Sequence, residues 1–353
     1  MTTALTWLAA LVALPGAAAA IHLTLLTAAS LFYREPRPKG EPAPVRFCVL
    51  IPAHNEESAL GATLDAITRD LRSGDSVCVV ADNCTDRTAD IAAAHGALVV
   101  QLANAKPAGR AAARQAGVDF ALGLDWDAMV MIDADSRIEP GFFQACERML
   151  ALGPVALQAR SEAGLGSGLV AQSYLASFAL QGATIPRGRD RLGLSVRLRG
   201  TGMVLRRSIV QRFRFRAPAS EDLWYSLDLC LEGILPRHIE SARLRSENVR
   251  SWKASSQQRL RYEAGRMSAA REYLVPLLRR HTLASLEAAW YLATPPFAVA
   301  IASLAIAAGL AVLSGSLLRA GLLLGLVGIL AFDLAIALVQ TRAGVRFLSL
   351  RCL

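Results

Sequence analysis

The sequence predicts an α/β protein built on a mostly parallel sheet, with membrane-crossing helices at both ends. Two observations carry this expectation. Between residues 46 and 134, short apolar runs bounded by turn residues alternate with segments of helical spacing, and long apolar stretches flank that region on both sides. Of the 353 residues, 53% are hydrophobic and only 19% charged, which is oily for a water-soluble enzyme.

The oil is unevenly spread. No charged residue occurs from Ala4 to Tyr33 or from Ala288 to Leu318, and Ala320 to Gln340 is interrupted only by Asp333. Each run exceeds the roughly 20 residues that a helix needs to cross a bilayer. The first lacks the basic leader of a signal peptide and continues past Ala17–Ala20 to Phe32, so an uncleaved anchor is expected, kinked at Pro15-Gly16. Domain limits follow: an anchor over 1–35, a central domain over 45–265, an interfacial amphipathic region over 256–286 and two further spans over 287–341.

Basic residues set the orientation. Arg34, Arg37 and Lys39 follow the first span, Arg279 and Arg280 precede the second, and Arg342, Arg346 and Arg351 follow the third. All lie on one side if the amino terminus is outside and the central domain is cytoplasmic, at a bacterial inner membrane. The net charge of +9 is then explained by anionic lipid heads or a phosphorylated substrate, and nucleic acid is not expected as a partner. Six scattered cysteines form no CxxC pair and no zinc spacing.

The central elements follow in order. After the proline-rich linker 36–44, "RFCVLIPA" reads as a buried strand, and Glu57 to Leu71 carries Leu60, Leu64 and Ile67 at helical spacing. "SVCVVAD" is a second strand, Thr85 to His95 a second helix, "ALVVQL" a third strand, Ala108 to Leu122 an alanine-rich helix and "AMVMIDA" a fourth strand. Such alternation implies right-handed crossovers with helices on both faces.

That order gives the polar residues a position. His54-Asn55-Glu56 follow the first strand, Asp82-Asn83 end the second, and Asp133 and Asp135 end the fourth. All are carboxyl-terminal strand ends, where open parallel sheets bind ligands. Asp133 and Asp135 lie two apart, so an extended backbone would aim both the same way, toward one hard divalent ion completed by water and phosphate oxygens. The turn "PAHNEES" has no glycine, which excludes a dinucleotide fingerprint, and no Walker loop occurs.

Taken together, "PAHNEE", "ADNCTDRT", "DAD", "SEDL" and "QRLRY", in that order, resemble the motifs of a membrane-bound family 2 glycosyltransferase of the GT-A fold, in its synthase-like branch. The likeness covers roughly Arg46 to Arg266. It implies that Glu56 and Asp82 hold the nucleoside of a UDP-sugar, that Asp133 binds the donor, and that Asp135, with Asp133, holds Mg²⁺ or Mn²⁺. Lys106 resembles a donor-contacting lysine, and the phosphate or sugar contact falls among Lys106, Arg110 and Arg114. Asp222 would be the general base for an inverting displacement, although Glu221 and Asp222 also suit a helix start. Gln258, Arg259, Arg261 and Tyr262, with Glu221, would border the diphosphate and acceptor. Tyr262 stands where the relatives carry tryptophan.

"RLRGTGMVLRR" resembles the segment before the base, with Gly200 and Gly202 allowing close backbone approach, or else forms a turn between strands. Trp252 is a candidate for the acceptor channel. Asp333 could pair with His22 or Arg319, line an acceptor path, or simply pack.

The expected function is inverting, metal-dependent transfer of a sugar from a nucleotide sugar to a polysaccharide acceptor at the cytoplasmic membrane face, with an oligomer or partner subunit completing the membrane part. Single-sugar transfer to a lipid-linked acceptor is the alternative. A non-catalytic nucleotide-sugar-binding subunit is another, and a transporter fits poorly because the spans hold few polar groups.

Overall fold

The computed structural model describes residues 2–103, 109–164, 168–216, 219–246 and 252–341. Helix α1 (Thr2–Leu31) is followed by β1 (Phe47–Ala53), α2 (Leu60–Thr68), β2 (Ser76–Asp82), α3 (Thr88–Ala94), β3 (Leu98–Leu102), α4 (Arg110–Ala121) and β4 (Ala128–Met131). Then come β5 (Ser136–Ile138), α5 (Phe142–Leu150), β6 (Ala156–Ala163), α6 (Gly168–Ala179), a π-helical turn (Leu180–Thr184) and α7 (Ile185–Arg191). The chain continues through β7 (Met203–Arg206), α8 (Arg207–Arg212), α9 (Glu221–Leu231), β8 (Arg237–Ser246) and α10 (Trp252–Arg280), and ends in α11 (Leu283–Ala293), α12 (Phe297–Leu313) and α13 (Leu317–Gln340).

The strands form one eight-stranded sheet in the order β3-β2-β1-β4-β7-β6-β8-β5. The half from β3 to β4 is parallel throughout, as the alternating pattern predicts. Beyond β4 the sheet is mixed, with β7 antiparallel to β4 and β6, β8 parallel to β6, and β5 antiparallel to β8. Strands β1, β2 and β4 are apolar on both faces because helices cover both. One face packs Val49, Ile51 and Val79 against α2 and α5, and the other packs Leu50, Cys78 and Val80 against α4. Gly117 on α4 is required there, since a Cβ would stand 2.6 Å from Val80 Cγ2.

Register aligns the strand ends. Ala53 pairs with Ala81, Leu50 with Met131, and Met131 with Met203, so the segments after β1, β2 and β4 and before β7 meet on one edge. The fourth strand is shorter than predicted. It closes at Met131, and a turn in which Ser136 N–H donates to Asp133 O (2.9 Å) redirects the chain so that β5 can pair with β8. Asp133 opens that turn and Asp135 lies within it, so the two do not alternate along an extended segment and the shared-face argument drawn from strand geometry does not hold.

Helices α1 and α13 are long and apolar enough to cross a membrane, and the bent pair α11 and α12 is a third candidate. The second apolar run is thus not one straight helix. Pro295 and Pro296 have no N–H to continue the ladder, and the two helices meet at 67°. Arg266 on α10 closes the exposed end of α11 by donating to the carbonyls of Tyr291 (3.2 Å), Leu292 (3.4 Å) and Thr294.

The span helices pack through small residues. A Cβ on Gly16 of α1 would stand 2.6 Å from the Ala300 carbonyl oxygen of α12, and one on Gly188 of α7 would collide with the Leu26 carbonyl oxygen of α1. His22 pairs with Glu287 of α11 (3.1 Å), which also takes Arg189 and Arg197. Asp333 pairs with neither His22 nor Arg319: it accepts from Thr24 Oγ1 (2.7 Å), while Arg319 donates to Thr6 Oγ1 (3.0 Å). Beyond α1, the Glu35 carboxylate accepts from Ser241 N–H (2.7 Å), stitching the linker to β8.

Gly188→Ala, which sets a methyl group against backbone that cannot yield, is expected to destabilise the detergent-purified protein by about 1–3 kcal/mol. An unchanged melting temperature would show that α7 and α1 do not pack this closely.

Candidate active site

The strand-end loops are knitted to each other before any ligand arrives. Asn55 (φ 55°) and Asn83 (φ 50°) take the left-handed conformation that turns the chain after β1 and β2. Asn55 Oδ1 accepts from Thr85 N–H (2.8 Å), Glu56 N–H donates to Thr88 Oγ1 (2.8 Å), and His54 Nδ1 meets Asp82 O at 2.6 Å. The Asp82 carboxylate is steadied by Asn83 Nδ2 (2.8 Å).

Glu56, Asp133 and Asp135 share one neighbourhood. Burial and the nearby Asp135 push the Glu56 carboxyl above the ordinary glutamate range; Arg110 opposes this, and Asp133 and Asp86 add to it. Arg110 approaches Asp133 at 3.9 Å, and its own pKa is raised chiefly by that carboxylate. Among the described residues, no three His, Cys, Asp or Glu side chains form a ready-made metal cage. The donor set is still hard and anionic, and mutually repelling carboxylates suit a cation of the Mg²⁺ or Mn²⁺ kind that keeps most of its coordination for water and phosphate. The residues fit such an ion.

Arg114 links this group to the next. It is 1% exposed, and its guanidinium spans from Asp133 Oδ1 (3.2 Å) to Glu221 of α9, with which it forms a short ion pair. Asp222 follows Glu221. Its carboxyl is pushed up to about 6, first by burial and then by Glu221, against the pull of Arg114 and of the Leu223 N–H that it accepts at 2.8 Å. Gly200 lies over both: a Cβ there would stand 2.8 Å from Arg114 Nη2 and 3.4 Å from Asp222 Oδ2, and its φ of +81° favours glycine independently. Ser220, just before Glu221, is strained at φ 56°, and Gly265 of α10 admits its side chain.

The predicted residues therefore separate. Glu56, Asp82, Arg114, Asp133, Asp135, Glu221 and Asp222 come together at one edge. Lys106 lies outside the described residues. Gln258 bonds Tyr174 of α6, and Arg259 reaches Ser173 Oγ at 3.5 Å, so both fasten α10 to α6. Arg261 is exposed, 6.0 Å from the Tyr262 ring. Tyr262 is the member of that motif that lies near Arg110 and Arg199. Trp252 begins α10. The Arg114–Glu221 pair was not foreseeable, because its partners are 107 positions apart.

Comparison with known proteins decides the class at this point. Residues 43–265 match the model of glycosyltransferase-like family 2, well over half of the chain. This chain belongs to that family. It is a glycosyltransferase of the nucleotide-sugar fold GT-A, as the motif resemblance implied. The mannosyltransferase PcManGT from Pyrobaculum calidifontis, solved with GDP-Man and Mn²⁺, is 18% identical with a TM-score of 0.59, covering 93% of this chain and 97% of that one. S. aureus TarS 1–349, solved with UDP-GlcNAc, is 15% identical with a TM-score of 0.52, covering 85% and 92%. No curated protein sequence matches the chain.

Arg114→Met would strand the buried Glu221 carboxylate, so it is expected to cost about 3–5 kcal/mol of stability. Adding Glu221→Leu should recover part of that loss in a thermal melt, whereas no recovery would contradict the bridge.

Proposed function

We propose that this family 2 glycosyltransferase transfers one sugar, with inversion, from a nucleotide-diphosphate sugar to a hydroxyl on a membrane-borne acceptor. UDP is the first-choice nucleotide. The observation that carries the reading is Asp222, a carboxyl tuned to about 6 and joined through Glu221 and Arg114 to the strand-end aspartate Asp133. A base of that pKa is largely ionised at neutral pH and still accepts a proton usefully.

In this reading Glu56 and Asp82 hold the nucleoside, Asp133 and Asp135 hold the metal and diphosphate, and Arg110 and Arg114 balance their charge. The described PcManGT complex holds GDP-Man with Mn²⁺, which supports a metal-assisted donor site here. When bound, a divalent cation supplies charge neutralisation for the diphosphate as it leaves. Asp222 takes the proton of the acceptor hydroxyl as its oxygen attacks the anomeric carbon, on the face opposite the departing nucleotide. Gly200 leaves room for that approach.

The membrane helices favour a lipid-borne acceptor over a polymer threaded outward. The seam among α1, α12 and α13 is filled by Ala13, Ala20, Leu304, Ala307, Leu330 and Ala337. Basic clusters beside the spans support a cytoplasmic catalytic domain with the amino terminus outside.

Nucleotide release from a panel of UDP- and GDP-sugars, with Mn²⁺ and membrane lipid extract, tests the proposal. One donor should turn over, Asp222→Asn should lower kcat by about 10²–10⁴, and Asp135→Asn should abolish metal stimulation. The wild-type rate should rise with pH through about 6 and then level, because Asp222 must lose its proton to act. A rate that is flat from pH 5 to 8, or that survives Asp222→Asn, would remove Asp222 from the chemistry.

A further inference from the structure

Most buried or half-buried arginines here have an acidic partner, and Arg206 and Arg207 donate to backbone carbonyls instead. Arg114 has Asp133 (3.2 Å) and Glu221, Arg160 has Glu162 (2.8 Å) and Glu240, and Arg189 and Arg197 share Glu287. Arg187 has Glu240. Arg199 differs. Its backbone N–H donates to Gln158 Oε1 (2.9 Å), and its guanidinium lies 5.4 Å from the Phe178 ring, with no carboxylate in salt-bridge range among the described residues. Burial lowers its pKa, opposed by Tyr262, Asp222 and Tyr291. Arg199 is half-buried, and a guanidinium that water still reaches and that no carboxylate engages at close range is open to an anionic ligand.

Its position says which ligand. Arg199 immediately precedes Gly200, which lies over the Asp222 carboxylate, so its backbone is fixed beside the base. Its other neighbours are Phe178 of α6, Tyr262 of α10 and Tyr291 of α11, the helices between the site and the membrane spans. The donor-side carboxylate Asp133 already has its own cations, Arg110 and Arg114.

We infer that Arg199 seats a phosphoryl group of the acceptor, next to the hydroxyl that Asp222 deprotonates. This rests on Asp222 being the base. The planar fork of arginine matches two phosphoryl oxygens at once, and the rings of Phe178 and Tyr262 supply the apolar wall that a lipid or sugar body requires. A neutral glycan end would leave Arg199 without its counter-charge, so the acceptor class is an anionic phosphate ester that carries a free hydroxyl.

The test uses the full chain in detergent with Mn²⁺ and the nucleotide found to bind. Two probes separate the sources of phosphate: soluble glycerol 3-phosphate, with glycerol as its neutral control, and micelles of phosphatidylglycerol, with phosphatidylcholine as theirs. Binding of either anionic probe should weaken at least about tenfold in Arg199→Gln, partly recover in Arg199→Lys, and stay unchanged in the exposed surface variant Arg271→Gln. Melting temperatures and nucleotide affinity, read on the same samples, should match the wild type. Equal binding by Arg199→Gln, equal weakening by Arg271→Gln, a preference for the neutral probes, or no binding of either phosphate would overturn the assignment. Absence of nucleotide binding in the wild type would instead overturn the proposed function, whatever the phosphate probes do.

Discussion

A single buried guanidinium ties this site together. Arg114 rises from α4 and holds Asp133, beyond β4, and Glu221, which opens α9. Those carboxylates come from parts of the chain almost ninety residues apart, and without a cation between them their repulsion and desolvation would drive the two elements away from each other. With Arg114 in place, Asp222 is carried beside the donor-side carboxylates and kept in surroundings that raise its pKa. Arg114 therefore positions the candidate base, whereas burial and Glu221 raise its pKa against the pull of Arg114.

The second constraint is the junction with the membrane helices. Helix α10 leaves the catalytic domain, passes Ser220 at Gly265, fastens to α6 through Gln258, and seals the end of α11 with Arg266. The proline break after α11 lets that helix pack under α9 and α10, in a cluster that includes Trp224, Tyr273 and Leu292, while α12 turns away toward α1 and α13. The site edge and the spans are thus joined by packed helices.

Much of this was legible in the residues. The strand runs at 47–53, 76–82, 98–102 and 128–131 were marked by continuous apolar sequence between turns, and the carboxyl ends of the first, second and fourth predicted where Glu56, Asp82 and Asp133 would gather. What eluded the pattern was non-local. The "DAD" segment read as extended, but the pairing of β5 with β8, more than a hundred residues on, bends it into a turn. The apolar run after Ala288 read as one span because composition outweighed Pro295-Pro296. His22 found Glu287 and not Asp333, a choice made by the tilt of α11 that no spacing reveals. Arg199 looks like any arginine in a basic stretch until its neighbours are known.

The central claim is that the strand-end carboxylates form a metal-dependent nucleotide site with Asp222 beside it and outside the nucleotide's own contacts. Calorimetric titration of UDP and GDP into the detergent-purified protein, with and without Mn²⁺, tests it most directly. The account predicts binding of one nucleotide that needs Mn²⁺, is lost in Asp135→Asn and persists in Asp222→Asn. Binding of equal strength without metal and in Asp135→Asn would contradict it.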